Sequence, residues 1–365
     1  MKVLTIVGAR PQFIKSSVVS VALKKCGIIE RVVHTGQHYD FRMSQIFFDQ
    51  LQLQPPDYNL EVGSGSHGTQ TGEMLKKLEP VIQEESPDCV IVFGDTNTTL
   101  AGALVVAKLA VPFAHVEAGL RSFDRAMPEE INRVVTDHLA THNYAPTTQA
   151  LLNLNNEGIR NGVEVVGDVM ADLLMRTLTQ LPALPESLSR LSLAPKAYGI
   201  VTVHRAANTD NRAAFERIIS AIRSLPFPII FPVHPRVRAL VEGTGVGRDD
   251  NIRVTEPLGY VDMIALQRHA RVILTDSGGM QKEAFLLATP CVTLRQETEW
   301  PETLVDGWNI LAGSDCDLIV KSALRRPPSS TQPAPFGDGH AADRIARSLA
   351  RAYSDAFRPN AIGMG

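Results

Sequence analysis

A rhythm of short apolar runs is what most narrows the folds open to this chain. Residues 3–7, 29–34, 89–93 and 111–116 are near-continuous stretches rich in Val and Ile, with helical segments between them. A strand that is apolar on both sides must be covered on both faces. The alternation therefore predicts an α/β fold, with a parallel sheet between two layers of helices. After Val163-Glu164-Val165-Val166-Gly167-Asp168 the rhythm restarts, with runs at 198–203, 229–233, 252–255, 272–275 and 291–294. Two successive halves are expected, residues 1–167 and 168–340, with a cleft between them. A loose proline-rich segment, 181–195, lies early in the second half. The proline-rich stretch 326–335 breaks any helix and reads as a linker to a helical tail, 341–357, that is expected to fold back onto the first half.

Bulk properties exclude several classes. With 365 residues, 44% apolar and 21% charged, the chain has material for two cores. Its formal charge of -3 gives no global attraction for nucleic acid or an anionic membrane. Any phosphate must be held by local groups, so the expected partner is small. Cys26, Cys89, Cys291 and Cys316 lack C-x-x-C spacing and lie in or beside apolar runs, which reads as reduced thiols. His34, His38, His67, His115, His138 and His234 are scattered without metal-ligand spacing, so no metal is expected. The chain opens directly on a strand-like run without a signal peptide, and no later stretch reads as a membrane span; the cytoplasm is the expected location. Neither a Gly-rich dinucleotide fingerprint nor a P-loop lysine motif is present, which removes the usual nicotinamide and kinase readings. No cofactor is expected.

Open parallel sheets bind ligands beyond the carboxyl ends of their strands, so polar residues that directly follow an apolar run carry the functional signal. The first run leads into Gly8-Ala9-Arg10-Pro11-Gln12-Phe13-Ile14-Lys15. A tight glycine turn, a proline suited to a helix start and two cations, Arg10 and Lys15, suit an anion there. A plain strand-to-helix turn fits equally well. Asp95, in Gly94-Asp95-Thr96, follows the third run and either works or caps the next helix. Glu117, in His115-Val116-Glu117-Ala118-Gly119-Leu120-Arg121, is embedded in an apolar strand end, where a carboxylate must be paired, hydrogen-bonded or working. In Met127-Pro128-Glu129-Glu130-Ile131-Asn132-Arg133 the proline opens a helix. Glu129 then sits in the first turn, where the helix dipole alone could account for it.

The second half offers His204-Arg205 at a strand end, suited to a leaving phosphate or its proton, with a structural histidine as the rival reading. Its most specific stretch is Leu274-Thr275-Asp276-Ser277-Gly278-Gly279-Met280-Gln281-Lys282-Glu283. The small-residue turn at Ser277, Gly278 and Gly279 can present backbone N–H groups to a phosphate, and Glu283 one turn on can hold ribose hydroxyls. Arg295 follows the next run.

Together these segments, in this order and over essentially the whole chain up to Gly337-Asp338-Gly339, resemble the non-hydrolysing UDP-N-acetylglucosamine 2-epimerases. The resemblance implies two Rossmann-like domains of the glycosyltransferase-B type with the active site in the inter-domain cleft, a returning C-terminal helix and a homodimer. It further implies a reaction: UDP is eliminated as a proton leaves C2 of the sugar, and UDP re-adds to the resulting 2-acetamidoglucal after a proton reaches the opposite face. Matched position by position, Asp95, Glu117 and Glu129 take the places of the family's acid/base carboxylates, and His204 that of a residue at the leaving diphosphate. Arg10 and Lys15 match basic site residues, and Ser277, Gly278, Gly279 and Glu283 match the UDP-binding turn. Arg133, Arg205, Met263 and Arg295 complete the expected substrate contacts.

Departures from the pattern shape the expected substrate. Thr298-Glu299-Trp300-Pro301-Glu302 has a tryptophan where many members carry an arginine, and His204-Arg205 is followed by Ala206-Ala207-Asn208-Thr209-Asp210. With Thr35-Gly36-Gln37-His38-Tyr39-Asp40 and Asp306-Gly307-Trp308-Asn309, this looks closer to the branch acting on UDP-2,3-diacetamido-2,3-dideoxyglucuronate. The Tyr39-Asp40 segment also departs from members that bind a second, activating UDP-sugar. C2 epimerisation is the leading expectation. A hydrolysing epimerase that releases N-acetylmannosamine and UDP, a retaining UDP-sugar glycosyltransferase and a non-catalytic nucleotide-sugar binder are its rivals.

Overall fold

The computed structural model describes residues 1–37, 55–182, 185–233 and 237–353, with the side chain of Arg10 left aside. His38, Tyr39, Asp40, His234 and tail residues 354–357 lie outside the described residues. The chain divides into two compact units. One comprises Met1–Arg176 together with residues from Ala334 onward, and the other is Thr177–Pro333. The borders thus fall beyond the expected 167 and before the expected 340.

The first unit runs β1 (Lys2–Val7), α1 (Arg10–Lys25), β2 (Ile29–His34), β3 (Tyr58–Asn59), α2 (His67–Glu85), β4 (Cys89–Phe93), α3 (Asn97–Lys108), β5 (Phe113–Val116), α4 (Pro128–Leu139), β6 (His142–Ala145), α5 (Thr148–Asn156), β7 (Val163–Val165) and the start of α6 (Val169–Gln180), whose last four residues fall in the second unit. Its strands are all parallel, in the order β3-β2-β1-β4-β5-β6-β7. Every residue of β4 and β5 is buried, as an interior strand covered on both faces requires. Leu4, Ile6, Val90 and Val92 pack with Met74 and Leu78 of α2 and with Ala103 and Val106 of α3.

The second unit continues with α7 (Glu186–Arg190), β8 (Gly199–Thr202), α8 (Ala206–Thr209), α9 (Arg212–Arg223), β9 (Ile229–Pro232), α10 (Arg238–Gly243), β10 (Ile252–Thr255), α11 (Tyr260–His269), β11 (Val272–Thr275), α12 (Gly278–Leu286), β12 (Cys291–Thr293), β13 (Asn309–Leu311) and α13 (Cys316–Leu324). Its parallel order is β10-β9-β8-β11-β12-β13. Alternate residues face opposite layers. Val201, Phe231 and Leu274 join one apolar cluster with Phe215 and Ile218, while Ile200, Ile230 and Ile273 join another with Leu266 and Ala284.

The last helix, α14 (Ala341–Ala352), belongs to the first unit and packs on α1. The local chemistry explains this. Asp172 of α6 accepts the N–H groups of Ala341 and Ala342 at 3.0 and 2.7 Å, capping α14, and the Asp168 N–H donates to the Phe336 carbonyl at 2.9 Å. These bonds tie the start of α6 and the returning tail together, so residues 168–176 fall with the first unit rather than the second.

Both sheets reverse strand order after their first strand: β1 has β2 on one side and β4 on the other, and β8 has β9 and β11. The carboxyl ends at such switch points are where parallel sheets bind ligands. Gly8 and Gly94-Asp95 follow β1 and β4, while His204-Arg205 and Asp276-Ser277 follow β8 and β11.

Candidate active site

In the first unit, strand pairing aligns the ends of β4 and β5, with Phe93 opposite Val116. Gly94 then turns through φ +63° while its N–H donates to the Val116 carbonyl at 3.0 Å. Glu117 also takes a left-handed backbone, φ +77°, with its N–H and that of Ala118 converging on the Tyr144 carbonyl at 3.2 and 3.1 Å. That conformation is costly for a glutamate and gathers at functional sites. The Glu117 side chain is 8% exposed and forms an ion pair with Lys15 of α1. Gly94 leaves room for the pair: a Cβ there would stand 3.3 Å from both Glu117 Oε2 and Lys15 Nζ.

Asp95 does not cap α3, whose N-cap is Thr96. Its carboxylate instead pairs with Arg133, a buried residue of α4 that also holds Glu130 at 2.6 Å, and Asn132 Nδ2 donates to the Asp95 carbonyl at 2.9 Å. Glu130 fastens the loop before the helix by accepting from Ser122 N, Ser122 Oγ and Phe123 N at 2.9, 3.0 and 3.0 Å. Its neighbour Glu129 is half-buried in the first turn of α4 and has no hydrogen-bond or ion-pair partner among the described residues. Of two adjacent acids, one is structural and the other is available. At the first turn, the N–H groups of Gly8 and Ala9 are taken by Gln12 Oε1 at 2.8 and 3.0 Å.

In the second unit one carboxylate organises the switch point. Asp276 is fully buried and accepts from His204 N at 3.0 Å, Arg205 N at 2.9 Å and Asn208 Nδ2 at 3.1 Å, with His204 Nδ1 2.9 Å away. Burial pushes its pKa up, but the bond and charge of His204 and the N–H donors outweigh that and hold it below the ordinary carboxylate value. The His204 side chain is 44% exposed, so the imidazole is gripped at one nitrogen while its surface remains accessible. Motif reading underrates Asp276. Its signal in the sequence is an acid that ends the apolar run Leu274-Thr275.

Ser277 caps α12 by accepting from Met280 N at 3.5 Å, which places Gly278 and Gly279 in the first turn, where helix N–H groups lack intrahelical acceptors. Trp300 lies beside this turn. A Cβ on Gly278 would stand 3.5 Å from Trp300 Nε1, and Lys282 Nζ sits 3.7 Å from the indole centroid, a cation–π contact between two buried side chains. Glu283 is buried and accepts from Gln267 Nε2 at 2.7 Å. Met263, on α11, packs against the Tyr198–Ile273 cluster. Arg295 is bound by Glu299 at 3.0 Å through two nitrogens and by Glu297 at 3.0 Å. Lys15, Arg133 and Arg295, read as substrate cations, thus each hold a protein carboxylate in this structure. Among the described residues, no group of three His, Cys, Asp or Glu side chains is placed to hold a metal ion.

The sequence profile of the family described as UDP-N-acetylglucosamine 2-epimerase matches residues 22–350. The chain belongs to that family. A UDP-N-acetylglucosamine 2-epimerase homolog of Methanococcus maripaludis is 51% identical over 355 residues, covering 96% of this chain and 99% of the relative. The UDP-2,3-diacetamido-2,3-dideoxy-D-glucuronate 2-epimerase of Pseudomonas aeruginosa is 45% identical over 361 residues, covering 96% and 100%. Among solved structures, the Methanocaldococcus jannaschii UDP-GlcNAc 2-epimerase in complex with UDP-GlcNAc and UDP superposes with a TM-score of 0.89 at 42% identity, covering 96% of this chain and all of that one. The fold of this epimerase-family chain is accordingly two parallel-sheet α/β domains of the glycosyltransferase-B type. No helix among its described residues is long and apolar enough to cross a membrane.

Proposed function

We propose that this chain is a non-hydrolysing C2 epimerase of a UDP-2-acetamido sugar, acting in the supply of surface polysaccharides. The observation that carries the reading is the pair of strand-end carboxylates, Asp95 and Glu117, each set against a cation, with the unpartnered Glu129 opening the next helix. One carboxylate removes the proton from C2 as the C1–O bond to UDP breaks. The C2–H electrons become the C1=C2 double bond, and the C1–O electrons leave on the diphosphate, giving a 2-acetamidoglucal and UDP. A second carboxylate then delivers a proton to the opposite face of C2, and a β-phosphate oxygen re-adds to C1. His204, Arg205 and the N–H groups of the Ser277-Gly278-Gly279 turn are assigned to the departing diphosphate, whose charge such donors stabilise. Glu283 is assigned to the ribose, and Arg10, Lys15, Arg133, Met263 and Arg295 to holding substrate or the carboxylates that act on it.

The sugar is UDP-N-acetylglucosamine or its 2,3-diacetamido glucuronate counterpart, the two substrates carried in the names of the relatives. Trp300 in place of an arginine supports the second. The working form is proposed to be a cytoplasmic homodimer, which light scattering on the purified protein checks. Incubating each UDP-sugar with enzyme in deuterium oxide tests the chemistry. Deuterium at C2 of both epimers, with UDP held at a trace level, is the expected result. Retained protium at C2 would sink the proposal, and free sugar accumulating in step with UDP would replace it by hydrolysis.

A further inference from the structure

His115 is fully buried in β5, and both of its ring nitrogens meet oxygen. Nε2 lies 2.7 Å from the Gly94 carbonyl and Nδ1 2.6 Å from Asp137 Oδ1. A carbonyl only accepts, so Nε2 carries a proton. Asp137 is held as a carboxylate from its other side: Arg121 Nη1 and Gly119 N donate to Oδ2 at 2.7 and 3.1 Å, and Arg121 in turn meets Glu157 at 2.6 Å. Burial alone pushes the Asp137 pKa up, but the charge and bond of His115 and then Arg121 hold it below the usual value. Nδ1 therefore faces a carboxylate oxygen. The titratable side chain of His138 stands 3.9 Å from Glu157 at the edge of this cluster.

What the cluster holds is the backbone on either side of the carboxylates. The Gly94 carbonyl immediately precedes Asp95. Gly119, two residues beyond Glu117, is pinned by Asp137 at its N–H and by Asn153 Nδ2 at its carbonyl, 2.9 Å away. We propose that His115 is a positioning residue of the epimerase site, whose two ring nitrogens, one on the Gly94 carbonyl and one on Asp137, clamp the Asp95 and Glu117 turns to one another. The proposal deepens the function argued above and rests on those two carboxylates being the reacting ones.

Two conservative substitutions separate positioning from structure, because a glutamine amide reaches the place of Nε2 and an asparagine amide that of Nδ1. Misplacing a reacting group by about 1 Å costs roughly a hundredfold in rate. His115→Gln, which keeps a donor for Gly94, is expected to retain kcat within about tenfold of the parent. His115→Asn, which keeps only the Asp137 bond, is expected to lose about a hundredfold, with KM in both moving less than about threefold. The reverse order, or equal losses, would show that the bond from His115 to the Gly94 carbonyl does not position the carboxylates and would overturn the proposal. Nitrogen-15 spectra of the histidine-labelled parent enzyme supply a readout that needs neither variant to fold. A proton on Nε2 of His115 is expected, and a bare Nε2 would overturn the clamp. The same spectra stand even if the parent fails to epimerise any UDP-sugar, so failure of the clamp and failure of the proposed function remain distinguishable.

Discussion

Gly94→Ala should damage turnover out of proportion to stability. Gly94 sits at φ +63°, where a side chain costs about 1–2 kcal/mol. In a unit of this size that lowers the melting temperature by roughly 2–8 °C. Its new Cβ would stand 3.3 Å from both Glu117 Oε2 and Lys15 Nζ, so the ion pair must yield by a few tenths of an ångström. Displacements on that scale, at a carboxylate proposed to meet C2, cost a few-fold to about tenfold in kcat. Gly27→Ala is the control. Gly27 has φ +71°, and a Cβ added there meets nothing within 4 Å, so the same backbone cost comes with no crowding. Differential scanning fluorimetry and steady-state epimerisation on both variants decide the matter. Similar melting shifts with kcat lost only in Gly94→Ala are expected. Parental kcat in Gly94→Ala would refute the reasoning that the Glu117–Lys15 pair belongs to the reacting site.

Other outcomes follow from the same geometry. Asp95→Asn, Glu117→Gln and Glu129→Gln should each lower kcat by about 10²–10⁴. UDP affinity measured by calorimetry should stay within about threefold, and parental turnover in any one removes that residue from the mechanism. Asp276→Asn would turn an amide donor toward the N–H groups of His204 and Arg205. It should destabilise the fold by about 2–4 kcal/mol in a denaturant titration and weaken UDP binding with it. Asp137, Asp276 and Glu299 all have folded pKa values depressed below 3.8, 3.8 and 4.5, so the unfolded chain takes up protons first as pH falls. Their stabilisation is complete above about pH 5 and is lost as pH drops through the folded values, although Glu30 and Asp172, raised by burial, work in the opposite sense. Melting temperature should therefore fall steeply between about pH 5 and 3, and a flat profile there would contradict the assigned ion pairs.

How much of this is legible in the sequence follows from what each segment must bury. Interior strands such as Cys89–Phe93 and Val272–Thr275 announce themselves, because burial on both faces demands unbroken apolar residues. His142–Ala145 escapes notice for the opposite reason: His-Asn-Tyr-Ala is a largely buried strand built from polar and aromatic residues, with Asn143 Nδ2 donating to the Asp137 carbonyl at 3.1 Å. Tyr58–Asn59 and Asn309–Leu311 are too short to show a period. The run at 111–116 shortens to Phe113–Val116, since Pro112 has no N–H to offer a ladder. The placement of residues 168–176 with the first unit depends on Asp172 capping a helix far along the chain, a pairing that no local pattern encodes.

The candidate site shows the same division at finer scale. Residue types and strand ends are readable, since a carboxylate at the close of an apolar run must be paired or working. Partners are not, because pairing is decided by strand order. Lys15 meets Glu117 since β1 and β5 flank β4, and Arg133 meets Asp95 since α4 follows the neighbouring strand. The consequence bears on mechanism. A cation read from sequence as a substrate contact is in this fold the counter-charge of an acid proposed to be catalytic, so removing Lys15 or Arg133 should alter kcat through Glu117 or Asp95 more than it alters KM. Lys15→Met with KM raised and kcat untouched would return that lysine to substrate binding.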